Sequence, residues 1–190
     1  MTQKDFDKLR NRSVFEYNYH WHDEGKNKKT QLLLNPTILS KTNVSIANLM
    51  DDIIDYLKPF DEEIEFMCFY ESSGHTSNSQ HYKGLACDFH YINSKRSYYE
   101  QIMLIHDYIT KVKYNDNGSP IGETLGFGYY PGSHSKSLHL DTRGKKSRWL
   151  GIFKYYYDQS KKRECFNIEY RSGEKNYLEG LENLKKEADK

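Results

Sequence analysis

The sequence is poor in the features that define several common protein classes. Its 190 residues include three cysteines, four prolines and three valines. The cysteines are widely spaced and never form a CxxC pair, so neither a disulfide framework nor a thiolate zinc site is indicated. No apolar run approaches the roughly 20 residues that span a bilayer, and we expect no membrane span. The first residues lack the apolar stretch of a secretory signal, so the sequence gives no indication of export.

The chain also lacks an excess of charge of either sign. It has 28 Lys and Arg against 27 Asp and Glu, which gives a net charge of +1. A neutral chain produces no overall field that would attract nucleic acid. We therefore expect no nucleic-acid partner.

Aromatic residues take the place of the missing aliphatic ones. Leu, Ile, Val and Phe supply about 21% of the chain, a fraction near the boundary of disorder. Aromatic residues, mainly 17 tyrosines, reach 15%. Together with the balanced charge they favour a single folded domain over residues 1–190. We expect its motif-bearing core at about 45–150, with a polar N-terminal and a charged C-terminal extension.

Hydrophobic spacing predicts the helices and strands. Apolar residues repeat every three or four positions from Ile46 to Leu57, which indicates one face of a helix. Asn43 or Ser45 can cap its start, and Pro59 ends it. Further elements are predicted as strands at 64–70, 85–92, 125–130, 137–142 and 164–170, and as helices at 98–112, near 148–157 and from about 175. Alternation in the second strand places Leu85, Cys87, Phe89 and Tyr91 on one face and Ala86, Asp88 and His90 on the other.

Three polar residues lie on or beside strands whose opposite faces are apolar. They are His81, Asp88 and His139. Gly84 permits a tight reversal between His81 and Asp88, so these two side chains can converge. Two neutral imidazoles and one carboxylate form an open three-ligand zinc site, in which the fourth position is left for water. That composition is typical of catalytic zinc.

The sequence around these residues resembles the motifs of a known family. Residues 79–88 read SQHYKGLACD and match S-x-H-x-x-G-x-A-x-D, and GFGYYP, LHLDTRG and RW follow between 126 and 149. Both segments resemble the zinc D-Ala-D-Ala carboxypeptidases and related peptidoglycan endopeptidases of the hedgehog/DD-peptidase fold. The resemblance covers about residues 45–150.

The resemblance implies a fold, an activity and a ligand set. The fold would be α+β, with a central antiparallel sheet flanked by helices. His81, Asp88 and His139 would bind one Zn²⁺, and the activity would be hydrolysis of peptide bonds in peptidoglycan. Zinc lowers the pKa of its water and polarises a peptide carbonyl, which suits amide hydrolysis. As substrate-binding residues we expect His75 and Tyr130.

The chain departs from the family pattern at the general base. Many members carry Glu or Asp three residues before the last His ligand, where this chain has Lys136, which as a cation cannot accept a proton. Asp141 is the nearest substitute. It could equally be a hydrogen-bonding partner that orients His139, or form an ion pair with Arg143. Glu71, Glu123 and His134 are reserve candidates for the base.

A second departure from the family pattern concerns stabilisation of the oxyanion that forms when the peptide carbonyl is attacked. Family members often carry S-G-Y-R-S upstream of the first motif, whereas residues 73–77 here read SGHTS. Thr76 cannot supply the positive charge of that arginine. Oxyanion stabilisation would then fall to the metal, to His75 or to a nearby arginine.

Other residues have simpler explanations. His20 and His22 are expected to be exposed at a strand edge. His90 shares a face with Asp88 and is expected to contact the metal ligands or to lie at the surface. His106 is explained by helix packing, and residues 155–157 by an aromatic core, although they could also stack on sugars.

Two functions compete, while a third, an aromatic-rich nucleic-acid binder, has the tyrosines in its favour and the neutral charge against it. The first is a zinc metallopeptidase, a carboxypeptidase or endopeptidase that acts on peptidoglycan stem peptides or cross-links at the cell wall or in the periplasm, either as a phage-type lysin or as an exported enzyme. The alternative is a non-catalytic, zinc-containing module that binds the cell wall. Lys136 and Thr76 favour the alternative.

Overall fold

The chain is described by a computed structural model that covers residues 40–71, 75 and 77–189, together with residues 4, 14 and 15. The fold is α+β, as predicted, with one mixed sheet and three helices in the described ranges. No helix in these ranges is both long and apolar enough to cross a membrane.

Seven strands form the sheet, in the order β1-β2-β3-β5-β4-β6-β7. They are β1 (Val14–Phe15), β2 (Glu63–Cys68), β3 (Ala86–Ile92), β4 (Gly126–Tyr129), β5 (Leu138–Asp141), β6 (Ser147–Asp158) and β7 (Arg163–Ser172). The central strands β2-β3-β5-β4 pair antiparallel, as predicted. The sheet as a whole is mixed, because β1 pairs with β2, and β6 with β4, in parallel. The second parallel pair arises because β6 returns past the β4–β5 hairpin and joins the free edge of β4.

The three helices begin and end where local sequence signals place them. They are α1 (Val44–Leu57), α2 (Tyr98–Asp107) and α3 (Glu174–Ala188). Asn43 caps α1, accepting a hydrogen bond from the Ser45 N–H at 2.9 Å. The Ser97 side chain accepts from the Glu100 N–H and the Glu100 side chain from the Ser97 N–H, so that the two form a capping box at α2. A π-helical turn, Tyr108–Val112, continues α2 to the predicted end.

All three helices contribute to one hydrophobic core on one face of the sheet. On that face Phe66, Phe89 and Leu138 lie opposite one another on neighbouring strands. Tyr177 of α3 packs against Phe127 at 6.1 Å between ring centroids. The predicted alternation in β3 is confirmed, since Cys87 and Phe89 are buried in this core. The helices that flank the sheet therefore share a single core.

The helix predicted near 148–157 is wrong, because these residues form β6. Strand β6 pairs with β7 over ten consecutive residues, from Trp149 to Asp158. Aromatic residues have high strand propensity, and pairing with a distant segment decides between strand and helix. Strands β6 and β7 therefore extend the sheet, and α3 contributes Tyr177 and Leu181 to the core.

The other face of the central sheet carries a row of side chains that run across neighbouring strands. In register, Cys68 lies opposite Asp88, Asp88 opposite His139, His139 opposite Gly128, and Gly128 opposite Trp149. A Cβ atom on Gly128 would overlap the Trp149 indole, so only glycine leaves room for that ring beside His139. The second glycine of the G-x-G motif in β4 thus leaves space for the Trp149 ring on the polar face of the sheet.

Gly128→Ala should destabilise the fold by about 1–3 kcal/mol, because the indole of Trp149 must move out of a packed position. Urea unfolding would measure the loss, and Trp fluorescence should shift as the ring moves. Gly132→Ala is the matched control, since its Cβ would meet atoms of Phe153 only at ordinary contact distances of 3.4 Å or more. Equal stability of the two variants would contradict this account of the β4 glycines.

Candidate metal centre

His81 enters the site from a single turn of 3₁₀-helix, His81–Lys83, that precedes β3. Gly84 ends this turn with a φ of 65°, and its N–H donates to the His81 carbonyl oxygen at 2.9 Å. Any side chain at Gly84 would also collide with the carbonyl oxygen of Lys41. The expected reversal is confirmed, and it buries the His81 side chain to 1% exposure.

The structure brings the three predicted metal ligands together. His81 Nε2 lies 3.2 Å from Asp88 Oδ2 and 3.2 Å from His139 Nδ1, and His139 Nδ1 lies 2.7 Å from Asp88 Oδ1. Asp88 and His139 face each other because they are directly paired residues of β3 and β5. These three side chains form a group that could hold a metal ion.

Each histidine has its second nitrogen held by an acceptor. His81 Nδ1 donates to the Phe69 carbonyl oxygen at 2.6 Å, and His139 Nε2 donates to Asp141 Oδ2 at 3.0 Å. With a metal bound in place of the proton between His139 Nδ1 and Asp88 Oδ1, the other nitrogen of each ring would offer its lone pair to the ion. Two lone pairs and a carboxylate therefore converge on one point, where a cation is favoured.

Electrostatics at the site also favour a cation. Burial would raise the pKa of Asp88, but His81 and His139 hold it well below its usual range. Burial would lower the pKa of His139, but Asp88 and Asp141 outweigh it and raise the pKa to about 9. A carboxylate that stays ionised in a buried place is a good metal ligand, since the ion compensates its charge.

Asp141 is fully buried and both of its oxygens are engaged. Burial would raise its pKa, but hydrogen bonds from Arg143 and His139 hold the pKa well below its usual range. Arg143 Nε donates to Asp141 Oδ1 at 2.7 Å, and Arg143 Nη2 donates to Asp141 Oδ2. This geometry favours two of the three predicted roles, orientation of His139 and the ion pair, over that of a general base.

A cavity of about 330 Å³ opens over the ligands. Both residues predicted to bind substrate, His75 and Tyr130, lie in its wall. The lining residues are His75, Asn78, Ser79, Gln80, His81, Tyr130, His139, Arg143, Ser147, Trp149, Tyr170 and Ser172. None of them is an acidic residue, so no carboxylate in this described lining is free to serve as a base.

His75 stacks on His81, with 4.4 Å between the ring centroids. Its Nε2 lies 2.8 Å from Glu71 Oε2. Burial would lower the pKa of His75, but the bond to Glu71 outweighs it and the pKa is raised. Tyr82 fixes the backbone, since its hydroxyl accepts from the His75 N–H and donates to the His75 carbonyl oxygen. Of the reserve base candidates, Glu71 therefore lies next to the site.

Cys68 is a neighbour of the site that the sequence interpretation missed. Its Sγ lies 3.3 Å from His81 Nδ1, and Cys68, His75 and His81 form a second group that could hold a metal ion. Burial and the nearby Glu71 raise the pKa of this thiol well above its usual value. The shared His81 nitrogen already donates to Phe69, which favours the group that contains Asp88. A bulge between Phe66 and Cys68 shifts the pairing, and simple alternation along β2 does not reveal it.

Several other predicted residues lie away from the cavity. His134 is exposed and stacks on Tyr155, and Glu123 pairs with Lys146 at 3.4 Å. Lys136 is exposed in the loop before β5. The remaining histidines have partners, because His90 pairs with Glu65 and His106 Nδ1 contacts the Tyr177 hydroxyl. Thr76, His20 and His22 lie outside the described residues.

Comparisons with known proteins identify no relative, because no protein-family model, no curated protein and no solved structure matches the chain.

The purified chain should bind one divalent metal ion, and His139→Ala should remove that binding, since it deletes the central ligand. Elemental analysis would give the stoichiometry. At a free metal concentration of 100 times Kd, the metal should stabilise the fold by about 2.7 kcal/mol. His134→Ala is the control, because this histidine is outside the cavity. Unchanged metal content in His139→Ala would contradict the ligand set.

Asp141→Asn should weaken metal affinity about 10- to 100-fold, because the carboxylate that orients His139 is lost while all three ligands remain. Competition with a chromophoric chelator would measure the affinity. Asp55→Asn removes an exposed carboxylate that pairs with Lys58 and should leave affinity unchanged. Equal affinities for the wild type and Asp141→Asn would show that Asp141 does not act through His139.

Proposed function

We propose that the protein is a zinc-dependent peptidase that hydrolyses peptide bonds in peptidoglycan stem peptides or cross-links. The observation that carries this proposal is the convergence of His81, Asp88 and His139 beside an open cavity, which both histidines line. Three protein ligands with one open side are typical of catalytic zinc, whereas structural zinc sites are closed by four.

The spacing of the ligand atoms supports zinc. Nitrogen and oxygen ligands about 2.0–2.1 Å from zinc, at tetrahedral angles, are about 3.3–3.4 Å apart. Two of the three ligand distances are close to that value, since His81 Nε2 lies 3.2 Å from His139 Nδ1 and 3.2 Å from Asp88 Oδ2. The third, 2.7 Å between His139 Nδ1 and Asp88 Oδ1, is a hydrogen-bond distance that a bound ion would widen. Two histidines and one carboxylate also suit Fe(II) in oxygenases, so the identity of the bound metal is itself a test.

Zinc, when bound, supplies a Lewis acid that polarises a carbonyl and lowers the pKa of water toward 7. The chain contributes the remaining functions. Asp141 holds the His139 ring through Nε2, and the Phe69 carbonyl holds His81 through Nδ1. His75, with Glu71 behind it, is positioned in the cavity wall to exchange a proton. Tyr130 and Trp149 contribute aromatic rings to the same cavity lining.

Two sequence motifs support peptidoglycan as the substrate. SQHYKGLACD supplies His81 and Asp88, and LHLDTRG supplies His139, in the order seen in the peptidases of peptidoglycan that this chain resembles. The structure gives a physical reason for glycine at two further positions of these motifs. Gly84 closes the His81 turn, and Gly128 leaves room for Trp149. The proposed place of action is accordingly the cell wall.

A second candidate function is a zinc-containing module that binds the cell wall without cleaving it. The observation in its favour is the lack of an acidic residue in the described cavity lining. Lys136 is exposed in a loop, and Asp141 is occupied by His139 and Arg143. In this alternative the metal would fix the loop and strands that form the binding cavity.

Incubation with purified peptidoglycan should release new muropeptides, detected by mass spectrometry, because the zinc site activates water beside the bound peptide. Chelation should abolish release, and added Zn²⁺ should restore it. His81→Ala should be inactive, and His134→Ala should retain activity.

Binding to peptidoglycan without new fragments would overturn the peptidase and support the binding module. A purified protein that holds iron in place of zinc would count against hydrolysis altogether. Release of fragments by His81→Ala at the wild-type rate would place the activity outside this site.

A further inference from the structure

The imidazole ring of His81 has a second edge, which faces away from Asp88. Its Nε2 faces Asp88 and His139, whereas its Nδ1 lies 3.3 Å from the Cys68 Sγ. Cys68, His75 and His81 form a group whose ligand atoms all lie within 4.8 Å of one another. Two groups that could hold a metal ion therefore meet at His81 and share it.

Contacts outside the first ligand set position this second group. A bulge between Phe66 and Cys68 shifts the pairing of β2 and brings the thiol opposite the site. The rings of His75 and His81 stack with 4.4 Å between centroids and 12° between planes. The Tyr82 hydroxyl accepts from the His75 N–H at 2.8 Å and donates to the His75 carbonyl oxygen at 2.7 Å. His75 is thereby tied to the turn that carries His81.

An ion can reach the second group from the cavity, because both of its histidines line that cavity. The Cys68 side chain is buried. The lone pair of an imidazole lies in the ring plane, so the two parallel rings must tilt relative to each other to bind one ion. His75 is the ring that can tilt, since its side chain is 23% exposed and that of His81 is 1% exposed.

The donor atoms of the two groups select different metals. A thiolate ligand selects soft ions such as Cu⁺, a carboxylate suits harder ions, and imidazoles accept ions of both kinds. Glu71 adds a negative charge beside the second group, because its carboxylate lies 2.8 Å from His75 and interacts with the Cys68 thiol. A negative charge at this position favours a cation. The second group is therefore suited to a soft cation.

His81 cannot serve both groups while its ring is neutral, because a neutral imidazole has one N–H and one lone pair. The Phe69 carbonyl oxygen, 2.6 Å from Nδ1, can only accept, so the proton is on Nδ1. A soft ion bound at Nδ1 moves this proton to Nε2, where Asp88 accepts it, and the thiol proton of Cys68 passes to solvent. Nε2 then has no lone pair to offer an ion in the first group.

We propose that Cys68, His75 and His81 form a second metal site, which binds a soft, thiophilic ion and thereby releases the ion held by His81, Asp88 and His139. Occupation of the second site is inhibitory, since the two ions exclude each other. The inference goes beyond the proposed function, because it concerns which ion is bound and does not depend on hydrolysis.

The test loads the full-length chain with zinc and then adds Cd²⁺ in increasing excess. A thiolate bound to Cd²⁺ gives an ultraviolet charge-transfer band, and elemental analysis after gel filtration gives the zinc and cadmium that remain bound. We expect the band to grow as zinc is lost, with the sum of the two metals constant at one ion per chain.

Variants assign the band and the zinc to separate residues. Cys68→Ser should keep zinc and show no band, whereas Cys165→Ser, on β7 and outside the cavity lining, should behave as the wild type. The loss of Cd²⁺ affinity in Cys68→Ser should exceed the about 10- to 100-fold typical of removing a hydrogen-bonded partner of a ligand, because a ligand itself is removed.

His139→Ala is the reciprocal variant. It should lose zinc and still show the band when Cd²⁺ is added, because His139 does not belong to the second group. This variant keeps the test decisive even where Cys68→Ser fails to fold, and thermal unfolding identifies the folded variants.

The outcomes separate this inference from the proposed function. Absence of the band in the wild type, or a band that persists in folded Cys68→Ser, would overturn the second site. A band that appears while zinc is retained would show that both ions bind at once and would overturn the exclusion. Loss of the band in folded His139→Ala would reduce the two sites to one and overturn the inference as well. Because no step measures hydrolysis, inactivity on peptidoglycan counts against the peptidase alone.

Discussion

The imidazole of His139 is held between two carboxylates, and the rest of the site depends on that arrangement. Asp88 lies at Nδ1 and Asp141 at Nε2, on opposite sides of one ring. The first carboxylate belongs to the ligand set and the second fixes the ring. Because His139 and Asp141 are two residues apart on β5, they share a face, and pairing with β3 brings Asp88 opposite. The register of β3 against β5 therefore determines the geometry of the candidate metal centre.

The two faces of the sheet differ in composition: one is apolar and the other is charged. The face covered by the helices is filled by apolar and aromatic side chains, including Phe89, Phe127 and Tyr177. The opposite face carries charged residues that would be costly to bury without partners. Each of them is paired, and the β4 glycines leave space for those pairs. A chain with few aliphatic residues can thus support a polar site, because its apolar side chains are concentrated on one side.

Local patterns predicted the parts of the structure that depend on local rules. Alternation from 85 to 92 placed Asp88 away from the core, and the spacing from Ile46 to Leu57 located α1. The strand at 148–157 was missed because its conformation depends on pairing with β7, which no local pattern encodes. The position of Cys68 depends on a bulge in β2. The three roles left open for Asp141 could not be separated either, because they depend on where the Arg143 side chain lies.

The charges of the site also indicate which residue can move a proton. A general base is most effective when its pKa is near the working pH. Asp141 does not meet this condition, because Arg143 and His139 hold its pKa well below the usual range, and protonation would break both contacts. His75 is another titratable group beside His81: burial would lower its pKa, but Glu71 outweighs burial and raises it, and its ring lies in the cavity wall. In the proposed peptidase, where Lys136 stands three positions before His139, the proton would therefore be carried by His75 and Glu71.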